Sequence, residues 1–212
     1  MIILMVLLVI SLLYLLVVVW KYRKIIRRQA DELIKIRLSD NFIDDITGTY
    51  NSKSIEHVIE DRLLFARQKN LSVSFLLVDI DNFKRVNDAF GITKGDLVLR
   101  QLATVFAGEL RGDDRLIRYR MGDEFLVIAI NATGINAAKA LGNRLKERVE
   151  TFDWSIPPFQ LNFNITISVG VTEYDGRSTF NNTLQQAERA LKSAKNKRNC
   201  VVLEKNGDFI PW

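Results

Sequence analysis

The sequence predicts an α+β fold: a central, mainly antiparallel sheet flanked by helices and preceded by one transmembrane helix. Three observations carry this. Residues 1–20 hold no charge and are rich in Leu, Ile and Val. Beyond them, apolar runs with strand character alternate with amphipathic helical stretches. One pair of runs, 115–119 and 125–130, is separated only by a polar, Gly-Asp turn, which inserts a hairpin into the alternation.

Twenty helical residues rise about 30 Å, the hydrocarbon thickness of a bilayer. A cleaved signal peptide would show a basic start, a shorter apolar core and a small-residue cleavage site. None is visible, and Trp20 and Tyr22 suit an interfacial belt, so residues 1–20 are expected to be a retained signal-anchor. Lys21, Arg23, Lys24, Arg27 and Arg28 follow with no acidic residue among them. The positive-inside rule then places the remainder in the cytoplasm, on a single-pass protein of the inner (plasma) membrane. Residues 21–41 read as a basic juxtamembrane helix with Ile26, Ala30 and Leu33 at heptad-like spacing. Two readings stand, a coupling element that pairs two chains or an ordinary amphipathic linker.

The domain is expected over 42–206, with 207–212 as a C-terminal tail. Thr47 and Gly48 mark a turn within 44–51, and a helix follows from Ser52 to about Gln68. LSVSFLLVD, 71–79, is a continuous apolar run ending in acid, the pattern of a buried strand. A short helical segment covers 83–88. A longer one runs from 94 or 95 to 110, with Leu99, Leu102 and Phe106 on one face. After the hairpin come a helix over 135–150, a β-branched strand over 163–171 and a last helix over 182–197. Val201–Leu203 reads as a short edge strand.

Charge narrows the function. Lys and Arg total 30 against 25 for Asp and Glu, and the juxtamembrane run accounts for the +5 excess. The domain itself is nearly neutral, so nucleic acid is not an expected partner. One Cys and one His exclude an internal disulfide and argue against a zinc site or a Cys/His catalytic pair. Any metal here is a hard cation held by carboxylates. Asp79 ends a strand and Asp81 follows two residues later, aimed to the same side unless the strand bends there. Asp123 and Glu124 sit at the hairpin tip. Clustered carboxylates repel, and a cation such as Mg²⁺, which shares its shell with phosphates, would justify their proximity. Solvated loop carboxylates are the alternative that spacing alone leaves open.

VDIDNFKRVNDAFGITKGD, 78–96, resembles the nucleotide-binding segment of GGDEF domains, the diguanylate cyclase family. DDITGTYN, 44–51, resembles the family's opening motif, and Gly122 to Phe125 match the end of its signature. ISVGV, 167–171, and AERALKSAKNKRN, 187–199, are similar to its late strand and last helix. The resemblance implies a palm-like fold related to nucleotidyl cyclases. It implies that a homodimer binds two GTP, each with two Mg²⁺ (Mn²⁺ substituting), and condenses them to cyclic di-GMP and two pyrophosphates. It further implies that Asp79, the Ile80 carbonyl, Asp123 and Glu124 bind metal, and that Glu124, Asp123 and Lys84 serve catalysis. By the same likeness Asn87 and Asp96 read guanine, Phe83 orders its turn, and Lys84, Lys195 and Arg198 hold phosphates. Arg111 and Asp114 resemble the family's RxxD inhibitory site for product.

The resemblance breaks at the hairpin tip. The family writes R-x-Gly-Gly-(Asp or Glu)-Glu-Phe; here the residues are Arg118, Tyr119, Arg120, Met121, Gly122, Asp123, Glu124 and Phe125. Either Arg118 and Tyr119 are in register and Arg120 with Met121 replaces one glycine, or Arg120 and Met121 take the Arg-x places and one glycine is deleted. In both alignments a glycine is lost where backbone freedom matters. Ile92 replaces a common His, and AKNKRN is one residue shorter than AKxxGRN. These departures imply an alternative function, a catalytically impaired domain acting as a cyclic di-GMP or GTP receptor or as an interaction module.

Overall fold

The computed structural model describes residues 19, 21–23, 42–120, 122–131, 133–205 and 208–211. The anchor expected over 1–20 and the helix expected over 21–41 lie almost wholly outside these residues, as does Met121. Among the described residues no helix is long and apolar enough to cross a membrane. The chain divides into two units, Met1–Phe42 and Ile43–Trp212, and all the elements below belong to the second.

A 3₁₀ turn at Ser52–Ser54 leads into α1 (Ile55–Lys69), followed by β1 (Ser72–Ile80), α2 (Phe83–Phe90) and α3 (Ile92–Glu109). The hairpin is β2 (Arg115–Arg118) with β3 (Glu124–Asn131). Then come α4 (Ile135–Thr151), β4 (Ile167–Glu173), α5 (Phe180–Lys197), β5 (Val201–Lys205) and β6 (Asp208–Pro211). The sheet order is β2-β3-β1-β4-β5-β6. All neighbours are antiparallel except β4 and β5, which α5 joins by the crossover that a parallel pair needs. The expected mainly antiparallel α+β sheet is therefore present.

Two expectations are corrected. Val201–Leu203 is not an edge strand, because β6 pairs outside β5 with Leu203 opposite Ile210. Four residues, DFIP, are too few to display a strand period, so the sequence read them as tail. β4 begins at Ile167 rather than at Phe163. Its partner β1 ends at Ile80, opposite Ile167, so the preceding residues have no β1 ladder to join. Phe163 packs as a loop residue instead, its ring 6.0 Å from that of Phe90 and 4.0 Å from the Arg85 guanidinium.

Side-chain alternation along the central strands builds two cores. Leu76, Val78, Phe125 and Val127 face α3 and α4, where Leu99, Leu102, Phe106 and Leu145 cover them. Phe75, Leu77, Leu126 and Ile128 face α1 and α5, against Ile59, Ala66 and Leu191. Covered on both sides, β1 is buried from Val73 to Ile80, which is why it reads as a continuous apolar run. Phe106 meets Phe125 edge-on at 5.3 Å. Such a pair adds roughly 0.5–1.5 kcal/mol beyond area burial, and here it anchors the residue after Glu124.

Candidate active site

Asp79, one residue before the end of β1, lies directly opposite Glu124, the first residue of β3. Opposed residues share a sheet face, here the α5 face lined by Leu77 and Leu126. Helix α5 comes unusually close: a Cβ on Gly170 would lie 2.3 Å from the Leu191 backbone nitrogen and 2.4 Å from the Ala187 carbonyl oxygen. Only glycine permits that approach, and one turn further on Lys195 Nζ meets Asp79 Oδ2 at 2.5 Å. The sequence placed Lys195 among phosphate ligands; here its ammonium rests on a carboxylate.

The electrostatics follow from burial. Asp79 is 2% exposed. Loss of water, outweighing the Lys195 hydrogen bond and aided by the charges of Asp123 and Glu124, pushes its carboxyl up to about 6. Burial also raises Glu124, against the opposing pull of Arg120 and Lys195. For Lys195 partial burial disfavours the charge, but the Asp79 hydrogen bond prevails and its pKa rises. Glu124 Oε2 is buried without a hydrogen-bond partner among the described residues, and Arg120 Nη1 stands 3.5 Å away. A cavity of about 230 Å³ opens beside it, lined by Arg120, Glu124, Glu188, Lys192 and Lys195.

Asp81 behaves differently. Its Oδ1 accepts from Ser168 Oγ at 2.7 Å, and its Oδ2 accepts from Thr166 Oγ1 at 2.7 Å and the Asn199 backbone N–H at 2.9 Å. Those bonds tie the end of β1 to β4 and to the exit of α5. Asp81 is a brace, whereas Asp79 meets one ammonium.

The hairpin tip is held by side chains to which the sequence assigned no structural role. Arg118 lies opposite Phe125, and the Tyr119 N–H donates to the Glu124 carbonyl at 2.9 Å. The Arg118 guanidinium donates to the Gly122 carbonyl at 2.9 and 3.1 Å and to Asp44 at 3.0 and 3.2 Å. Burial works against ionised Asp44, but its bonds from Thr47 and Arg118 overcome that and lower its pKa. The opening motif therefore clamps the signature turn. Tyr119 Oη donates to Glu188 Oε1 at 2.8 Å, and Arg120 Nη2 reaches the same oxygen at 2.6 Å. Burial and then Glu188 push the Tyr119 phenol up to about 12. Asp123 turns the chain back, its carbonyl accepting from the Ile80 N–H at 3.3 Å.

The residues expected to read guanine sit on α2 and α3, beside the other core. Phe83 is buried, Asn87 and Asp96 are half-buried, and Lys84 is exposed. A Cβ on Gly95 would lie 2.0 Å from Asn87 Oδ1 and 3.2 Å from Phe83 Cζ, so glycine there lets α3 press against Asn87. Arg198, exposed, caps α5 with φ 60° and ψ 165°, a conformation natural to glycine. The shortened AKNKRN segment thus gives to an arginine the backbone position that suits glycine. Asp114 is buried and occupied: it accepts from the Arg111 N–H and the Ile130 N–H, each at 2.9 Å. Arg111 is exposed, and both residues line a cavity of about 540 Å³ with Tyr50 and Arg115.

The acidic sites thus come together at one end of the sheet, yet among the described residues no three Asp, Glu, His or Cys side chains already converge as a metal cage. The donor set still fits a hard divalent cation. It has a buried and a half-buried carboxylate with raised pKa values, a carboxylate oxygen without a hydrogen-bond partner among the described residues, and an ammonium resting on Asp79.

Residues 41–200 match the family described as diguanylate cyclase, GGDEF domain. The chain is 37% identical over 141 residues to diguanylate cyclase A of Treponema denticola, covering 66% of this chain and 37% of that protein. It is 31% identical over 184 residues to the response regulator PleD of Caulobacter vibrioides, covering 86% and 39%. The chain thus spans little more than a third of the length of these curated relatives. Among solved structures it resembles diguanylate cyclase SiaD of Pseudomonas aeruginosa, crystallised with its activator SiaC. The TM-score there is 0.69 at 29% identity, over 87% of this chain and 71% of that one. The coiled coil and GGDEF domain of DgcB from Caulobacter crescentus, in complex with c-di-GMP, aligns with a TM-score of 0.73 over 84% of this chain and 93% of that one. At 23% identity that likeness establishes the fold alone. Residues 41–200, the sheet with its clamped hairpin and the strand-end carboxylates agree: this chain belongs to the GGDEF domain family.

Proposed function

We propose that this domain is a diguanylate cyclase that joins two GTP into cyclic di-GMP, releasing two pyrophosphates, across a homodimer interface. One observation carries the reading: Asp79, buried, and Glu124, half-buried, are opposed across β1 and β3, and among the described residues their ion-pair partners are Lys195 and Arg120. Such a pair is costly in a fold unless a ligand uses it.

Asp79, the Ile80 carbonyl, Asp123 and Glu124 would hold Mg²⁺, with Mn²⁺ able to replace it. Bound there, the metal would neutralise the triphosphate and favour ionisation of the attacking 3′-hydroxyl. Asn87 offers both a donor and an acceptor to the guanine edge, and Asp96 accepts from its N–H groups. Phe83 keeps the α2 turn in place, and Lys84, Lys195 and Arg198 bring positive charge to the phosphates. The 3′-oxygen of one nucleotide bonds to the α-phosphorus of the other, and the bond to the bridging oxygen of pyrophosphate breaks. Glu124 Oε2 is the acceptor available for the hydroxyl proton. One domain supplies half of each reacting pair, hence the homodimer.

The ladder supports the alignment in which Arg118 and Tyr119 are the Arg-x pair, so that Arg120 with Met121 stands in place of a glycine. That supports the second reading, a receptor for GTP or cyclic di-GMP, and the 540 Å³ cavity beside Arg111 and Asp114 is where product would bind. We assign residues 1–20 as an inner-membrane anchor, 21–41 as its helical linker and the domain to the cytoplasm, on the charge asymmetry of 1–28. The test is turnover of GTP with Mg²⁺ by the purified protein at concentrations that give dimers. Product that disappears in Asp123→Ala supports the cyclase, and its absence from a proven wild-type dimer overturns it.

A further inference from the structure

In the alignment that keeps Arg118 and Tyr119 as the Arg-x pair, Arg120 stands with Met121 in place of a signature glycine, and its side chain does more than fill space. Its side chain is 61% exposed, yet its guanidinium meets two acids. Nη2 donates to Glu188 Oε1 on α5 at 2.6 Å, and Nη1 stands 3.5 Å from Glu124 Oε2. The same group lies 5.1 Å from the centre of the Tyr119 ring, whose hydroxyl shares Glu188. Three contacts therefore point one positive charge at the mouth of the 230 Å³ cavity. Among the described residues Glu124 Oε2 has no hydrogen-bond donor, and Arg120 is the cation that forms an ion pair with it.

We propose that Arg120 is an internal counter-ion for Glu124, a positioning residue that competes with divalent metal and sets the site's metal affinity. The inference rests on the metal-binding reading of Asp79, Asp123 and Glu124. Its physical basis is plain. A cation 3.5 Å from a buried oxygen lowers the negative potential there, and a divalent ion arriving at Glu124 must displace it or bear its repulsion. Glu188 matters as the second partner: it holds the guanidinium within reach when Glu124 is free and receives it when Glu124 is taken. A glycine at this place would leave Glu124 to the weaker pull of Lys195 and the site hungrier for metal.

Calorimetric titration of the purified protein with Mn²⁺, without nucleotide, tests this apart from turnover. Arg120→Ala should bind Mn²⁺ roughly three- to ten-fold more tightly than wild type, the range expected for a partly exposed ion pair plus lost repulsion. Arg120→Lys keeps the charge and should stay close to wild type. A merely structural role for Arg120 would group Lys with Ala. A thermal melt of each variant establishes that it is folded. Equal Mn²⁺ affinity in Arg120→Ala and wild type overturns the counter-ion alone. Absence of Mn²⁺ binding in every variant overturns the metal reading of the site, and this inference with it.

Discussion

Asp79→Asn separates a carboxylate kept for a ligand from one kept for the fold. The carboxyl of Asp79 is pushed from 3.8 in the unfolded chain to about 6 in the folded one. Between those values the folded state binds more protons than the unfolded state, so stability falls as pH rises through that window and is flat above it. Two units of raised pKa at about 1.4 kcal/mol each put the cost of the ionised form near 3 kcal/mol at pH 7.5. Asparagine cannot ionise, and its amide oxygen can still accept from Lys195. The raised pKa already includes the opposing attraction of Lys195, so loss of that ion pair subtracts nothing further. The metal-free variant should therefore be more stable by about 3 kcal/mol, or a Tm higher by roughly 6–12 °C for a domain of this size. Denaturant unfolding of both proteins at pH 7.5, 6 and 4 measures this. The gap should close toward pH 4, where wild-type Asp79 is itself neutral, while cyclic di-GMP formation is lost in the variant at every pH. A variant no more stable than wild type at pH 7.5, or a gap that does not narrow in acid, refutes the reasoning.

Other substitutions read other parts of the site. Arg198→Gly relieves a backbone conformation that costs a side chain roughly 1–3 kcal/mol, so the Tm should rise while GTP affinity, measured by calorimetry, falls if Arg198 meets phosphate. Gly95→Ala would put a methyl 2.0 Å from Asn87 Oδ1 and should displace that amide, raising the KM for GTP about ten-fold or more with the fold intact by circular dichroism. Asp114→Ala leaves the Arg111 and Ile130 N–H groups without acceptors and should cost about 1–3 kcal/mol in a denaturant titration. Arg111→Ala, at an exposed side chain, should leave stability within about 0.5 kcal/mol and alone report on cyclic di-GMP binding, read by calorimetry.

Periodicity and residue type carried much of the architecture. A buried central strand, a hairpin and helices of alternating face are local signals, written within a dozen residues, and so the run ending at Asp79 and the acids at the tip were visible without coordinates. The motif resemblance, likewise a matter of adjacent residues, named the family. Tertiary structure decided what each charge touches. Asp79 and Asp81 look alike two positions apart, but only folding gives Asp81 its donors from β4 and the α5 exit and leaves Asp79 to Lys195. Arg118 meets Asp44 and Arg120 meets Glu188 across long stretches of chain, and no local pattern encodes such pairs. β6 is a strand because β5 offers it an edge. Short-range spacing sets which elements form and where acids end them, whereas burial and long-range pairing set whether an acid braces the fold or waits for a cation.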